Sequence, residues 1–123
     1  MQIERKVAVI TGAARGVGRA TALALANQGC DVIINYRSSK ERAEKTVTEI
    51  EALGARSLAI QGDVRDDDAC RQLMETAFNK FGRLDVLVNN AGTTVFIDHH
   101  DLDRVQPEHW DDLFATNVRA VFQ

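Results

Sequence analysis

The sequence predicts an α/β protein built on a parallel sheet. Two patterns predict it. Short β-branched apolar runs recur along the 123 residues, and each gap between them holds a segment of helical period. Each of the three interior helical segments stops at a glycine, where a left-handed residue closes a helix. Continuous apolar runs, unlike alternating ones, suit strands covered on both faces. Strand and helix in alternation read as successive βαβ units with right-handed crossovers.

Taken in order, Val7 to Ile10 is the first run, set between charged residues and Thr11-Gly12. Residues 16–28, rich in Ala and Leu, form the first helix and end at Gly29. Val32 to Ile34 is the second strand. The next helix covers 40–53, with Ala43, Val47, Ile50 and Leu53 on one stripe and Gly54 after it. Leu58 to Ile60 is the third strand. Residues 67–81 make a helix with Cys70, Leu73, Met74, Ala77 and Phe81 inward and Gly82 beyond, and Asp66 is its expected N-cap. Val86 to Val88 is the fourth strand, and residues 93–106 read as a loop. A last helix starts at Pro107, with Trp110, Leu113, Phe114, Asn117, Val118 and Val121 on one side.

Composition excludes several classes. The chain is 45% hydrophobic and 27% charged, with one Pro and eight Gly, which fits one globular domain. Mean hydropathy is -0.22, and no apolar run approaches the ~20 residues of a membrane helix. The start, MQIERKVAVI, is too briefly apolar for a signal peptide. A net charge of -3 offers no broad basic field for nucleic acid. Cys30 and Cys70 form no metal or redox spacing, and read as buried free thiols in a cytoplasmic protein. In Asp98-His99-His100-Asp101 the adjacent histidines diverge and no third ligand stands at a supporting spacing, so no metal is expected.

The strongest local signal is Thr11-Gly12-Ala13-Ala14-Arg15-Gly16-Val17-Gly18, which leaves the first strand and opens the first helix. Gly12 permits a tight turn, Gly16 lets backbone approach a pyrophosphate, and Gly18 lets helix and strand pack closely. The helix N-terminus then presents N–H groups and the positive dipole end to phosphates. No GxxxxGK[ST] pattern is present, which disfavours a nucleoside-triphosphate loop.

With its TGxxxGxG spacing, this turn resembles that of the short-chain dehydrogenase/reductase family, of the type that includes 3-oxoacyl-carrier-protein reductases. Asn89-Asn90-Ala91-Gly92 after the fourth strand, Asp63-Val64 after the third, and Asn117 in a Trp-x-x-x-Phe-x-x-Asn pattern agree with it. The resemblance runs end to end. It implies a doubly wound Rossmann sheet of order 3-2-1-4, with residues 1–123 as its dinucleotide-binding portion, ending before a fifth strand. It implies that Thr11, Gly12, Arg15, Gly16, Val17 and Gly18 surround the cofactor phosphates. Asp63 would accept from the adenine amine with Val64 beside it. Asn90, Ala91 and Gly92 would line the ribose and nicotinamide side, and Asn89 would support the nearby backbone.

The cofactor follows from charge. NAD sites place an acid at the end of the second strand, about twenty residues past the glycines. Here that place reads Asn35-Tyr36-Arg37-Ser38-Ser39. Arg37, with Arg15 from the turn, suits a 2′-phosphate, so NADP is expected ahead of NAD.

By resemblance the reaction is hydride transfer with a small carbonyl or alcohol substrate, using Ser, Tyr, Lys and Asn. Asn117 matches the Asn. Tyr36 and Lys40 have a Tyr-x-x-x-Lys spacing, but by register they belong at the adenosine end. The Ser, Tyr and Lys therefore have no counterpart here. A catalytically silent dinucleotide-binding or interaction module is the competing reading, and an epimerase of the extended family stays open. The fourth strand is expected to be an exposed edge, and the last helix to expose Trp110, Leu113, Phe114 and Val118. The resemblance implies a homo-oligomer through that helix.

Overall fold

The computed structural model describes residues 2–123. Four strands, β1 (Val7–Ile10), β2 (Asp31–Tyr36), β3 (Ser57–Gln61) and β4 (Val86–Val88), form one sheet in the order β3-β2-β1-β4. Every pairing is parallel. Val9 lies opposite Ile33 and Leu87, and Ile33 lies opposite Leu58. Helices α1 (Gly16–Asn27), α2 (Lys40–Ala52) and α3 (Asp67–Phe81) connect them.

The central strands β1 and β2 are covered on both faces, as their apolar runs require, whereas the edge strands β3 and β4 are only partly covered and Leu87 is exposed. Ile10, Val32 and Ile34 pack against Ala22 and Ala26 of α1 and Ala43 and Ile50 of α2. Val7, Val9 and Ile33 point the other way, onto Leu73 and Ala77 of α3. The small residues on α1 let that helix lie close to the strands. Gly29, Gly54 and Gly82 all follow their helices at positive φ (81°, 90° and 74°), so the three predicted stops are left-handed residues. Asp66 caps α3, accepting from the Asp68 N–H. Cys30 and Cys70 are buried and free, and burial raises both thiol pKa values.

The chain departs from expectation after residue 101. Inside the predicted loop, Leu102–Arg104 form a 3-10 turn. The last helix is not uniform: α4 (Pro107–Phe114) passes into a π turn (Ala115–Arg119) and then one α-helical turn, α5 (Ala120–Phe122). The Gln106 side chain accepts from the His109 N–H, and the His109 ring accepts from the Gln106 N–H at 3.1 Å. The two residues thus close the start of α4 reciprocally. Trp110 and Phe114 stack with centroids 6.5 Å apart and both remain exposed, as do Val118 and Val121. Among the described residues no helix is long and apolar enough to cross a membrane. None of their His, Cys, Asp and Glu side chains form a group of three or more suited to a metal.

The short edge strand β4 is pinned at its start by Asp85. This carboxylate accepts the Val7 N–H at 2.9 Å and two Arg83 N–H groups at 2.7 Å. The Arg83 guanidinium foremost, then the Val7 N–H, hold the Asp85 pKa down to about 2 from 3.8. A depressed carboxyl contributes stability above its ordinary pKa and loses it as pH falls through the folded value. Asp85→Asn is therefore expected to lower the thermal midpoint at pH 7. The gap from the parent should close between about pH 4 and pH 2, followed by circular dichroism.

Candidate functional site

The C-terminal ends of β1, β2 and β3 open onto a cleft of about 480 Å³. Gly12, Arg15, Gly16, Val17, Arg37, Asp63, Val64, Asn90, Ala91 and Gly92 all line it. It lies where the strand order reverses, since β2 flanks β1 on one side and β4 on the other.

The glycine turn is fixed from below by polar side chains. The Thr11 hydroxyl accepts the N–H groups of Asn90 and Ala91, both at 3.0 Å. The Asn90 amide donates to the carbonyls of Thr11 (2.9 Å) and Gly12 (3.1 Å). Asn35, 3% exposed, accepts the Gly12 N–H at 3.3 Å and donates to the Gly62 carbonyl at 3.0 Å. Its backbone carbonyl accepts from Ala13 at 2.9 Å. Strands β1, β2 and β4 and the end of β3 are thus tied to one turn.

Each motif glycine meets a different requirement. Gly12 has φ 62°, and a Cβ there would sit 2.9 Å from the Ala91 Cα. At Gly18 a Cβ would meet the Asn90 amide at 2.4 Å and the Gly12 carbonyl at 2.8 Å, so no side chain fits. Gly16 has φ 59°, and a Cβ there would meet nothing within 4 Å. Its backbone therefore faces open cleft. The α1 N-terminus has no side-chain cap and no acid in its first turn, in contrast to α3. Its N–H groups and its dipole are left for an anion, so the residues present fit a pyrophosphate.

Arg15 and Arg37 stand exposed on the rim, and neither takes part in an ion pair among the described residues. Tyr36 is buried in the core at the end of β2, beneath that rim. On the floor, Asp63 accepts from Arg65 through Nη2 (2.7 Å), Nε (3.1 Å) and the backbone N–H (2.9 Å). The Arg65 guanidinium holds this carboxyl below its usual pKa, and the charge of Arg37 adds a smaller pull.

The structure adds detail at three expected positions. The Asn90 side chain is turned under the glycine turn, although the residue borders the cleft. Asn89 faces a separate recess of about 140 Å³ beside Leu73 and Leu87, so backbone support at this strand end comes from Thr11 and Asn90. Asn117 lies in the π turn, where its amide accepts the Thr93 N–H at 2.8 Å and donates to the Thr93 carbonyl at 2.9 Å. It fastens the rim of the cleft just past Gly92.

The family model for short chain dehydrogenase matches residues 6–123. The chain is a member of the short-chain dehydrogenase family. A 3-oxoacyl-[acyl-carrier-protein] reductase FabG of Staphylococcus aureus is 47% identical over 117 residues, 95% of this chain and 46% of the relative. Versicolorin reductase stcU of Emericella nidulans is 43% identical over 121 residues, 98% of this chain and 45% of its own. A short chain dehydrogenase from Burkholderia cenocepacia, solved in complex with NADP, superposes with TM-score 0.92 at 43% identity. That match covers 99% of this chain and 49% of the other. A Brucella melitensis 3-ketoacyl-(acyl-carrier-protein) reductase complexed with NADH gives TM-score 0.87 at 37% identity, over 98% and 47%. This short-chain dehydrogenase sequence spans about half the length of the relatives it matches.

Sequence reading missed the clamp made by Asn35. The available signal was a polar residue ending the apolar run Val32-Ile33-Ile34, which in a covered strand requires buried partners. Asn35→Leu orphans the Gly12 N–H and the Gly62 carbonyl. A loss of about 3 kcal/mol is expected, read from the urea midpoint.

Proposed function

We propose that residues 1–123 form the NADP-binding portion of a short-chain oxidoreductase that transfers hydride between NADPH and a small carbonyl or alcohol substrate. The carrying observation is an uncapped, acid-free helix N-terminus facing open cleft, with Arg15 and Arg37 unpaired on its rim. A 2′-phosphate beside Arg37 meets a guanidinium where NAD sites place an acid.

The residues divide the work. Gly16, Val17 and Gly18 present the free N–H groups of the α1 N-terminus to the diphosphate, and Gly12, its own N–H and carbonyl held by Asn35 and Asn90, shapes the turn that carries them. Asp63 accepts from the adenine amine, and Val64 packs beside the ring. Ala91 and Gly92 border the nicotinamide side, and Asn90 holds that border in place. The bound nicotinamide supplies the hydride. Asn117 keeps one N–H and one lone pair beyond its Thr93 bonds, enough to hold a relay water. The family's Ser, Tyr and Lys have no counterpart among these residues, because Tyr36, the sole tyrosine, is buried at the adenosine end. Binding without carbonyl reduction by this chain supports the silent-module reading. The free buried thiols are consistent with a cytoplasmic setting.

Calorimetric titration tests the cofactor. NADPH is expected to bind more tightly than NADH. Arg37→Ala should weaken NADPH by about 10- to 100-fold, the value of a charged hydrogen bond, with NADH nearly unchanged. No heat with either coenzyme refutes the proposal.

The exposed face of α4 is proposed to pair with a second copy. Sedimentation velocity is expected to show a coefficient that rises with concentration, and Trp110→Ser with Phe114→Ser should abolish the rise.

A further inference from the structure

Arg65 belongs to no motif, yet it joins two parts of the molecule. Its Nε and Nη2 hold Asp63 on the cleft floor. Its Nη1 donates to Asp112 of α4 at 3.2 Å. Its backbone carbonyl accepts from Arg119 in the π turn at 3.5 Å. Arg65 and Asp63 are both half-buried, so the pair is only partly screened by water.

A bare carboxylate on this floor would repel a polyanionic dinucleotide. The guanidinium offsets that charge without exhausting the acceptor. An ionised carboxylate has about four lone-pair sites. Three N–H donors make four contacts with it, two on each oxygen, and the Nε, bifurcated at 3.1 Å to both, frees a lone pair for a further donor when it settles on one oxygen.

We propose that Arg65 is a positioning residue for the adenine subsite: braced on Asp112, it orients and neutralises the Asp63 carboxylate so that its free lone pair reads the adenine amine. The inference rests on the dinucleotide reading above. It makes α4 a support of cofactor selectivity, because the brace begins on that helix.

The test compares NADPH with its hypoxanthine analogue, which carries an oxo group in place of the adenine amine. Affinities are measured for the parent chain, Arg65→Ala, Arg65→Lys and Asp112→Asn. The parent should prefer NADPH. Arg65→Ala should weaken NADPH about tenfold, roughly one hydrogen bond, and move the analogue by less than about twofold, so the preference collapses. Asp112→Asn should take it part of the way, and Arg65→Lys should restore part of it. Should Arg65→Ala fail to fold, the ratio in the other two variants decides. Equal weakening of both ligands means Arg65 only stabilises the fold, and overturns the inference. A preference unchanged in every variant overturns it too. A parent that binds both ligands alike overturns it while leaving the dinucleotide reading intact. A parent that binds neither refutes that reading itself.

Discussion

Everything at the cleft depends on the buried hydrogen bonds that converge on residues 11 and 12. A glycine turn with two positive-φ residues has no preference for one shape. Thr11, Asn35 and Asn90 remove that freedom by occupying its inward-facing polar groups. No buried side-chain nitrogen or oxygen among the described residues lacks a partner. The outward-facing N–H groups are then the ones left to a ligand, and they are held still. Such a closed network is stiff because each lost member leaves another buried group unsatisfied.

Electrostatics at the cleft run against the chain's overall sign. The net charge is -3, yet the cleft presents a helix N-terminus and two arginines on its rim. The one acid on the floor is matched by its own arginine. An acidic protein therefore offers an anion a favourable surface by local placement. Nonspecific polyanions, which need an extended basic field, gain little from so small a patch.

Much of the fold was legible because it rests on local chemistry. The apolar runs mark the strands, of which the central pair is buried on both faces, and Gly29, Gly54 and Gly82 mark stops that only a left-handed residue makes without strain. The strand order followed from motifs and not from periodicity, since hydrophobic patterns do not say which strand neighbours which. At the site, the backbone-facing glycines were legible from spacing alone. The inward turn of Asn90, the clamp of Asn35 and the brace of Arg65 were not, because each depends on a partner 23 to 79 residues away or on two partners at once. The π turn was equally hidden. No Pro or Gly interrupts Ala115–Arg119, and the residues read as ordinary helix.

That π turn makes the last segment a length gauge. An α-helix advances about 100° per residue, so one extra residue per turn rotates everything downstream. Here the added residue lets Asn117 reach Thr93 while Thr116 and Ala120 still face inward. A side-chain change in this stretch leaves the count intact. Removing a residue between Pro107 and Asn117 would turn Asn117 by about 100° and carry its amide away from Thr93, so the clamp depends on the spacing of this stretch as well as on Asn117 itself.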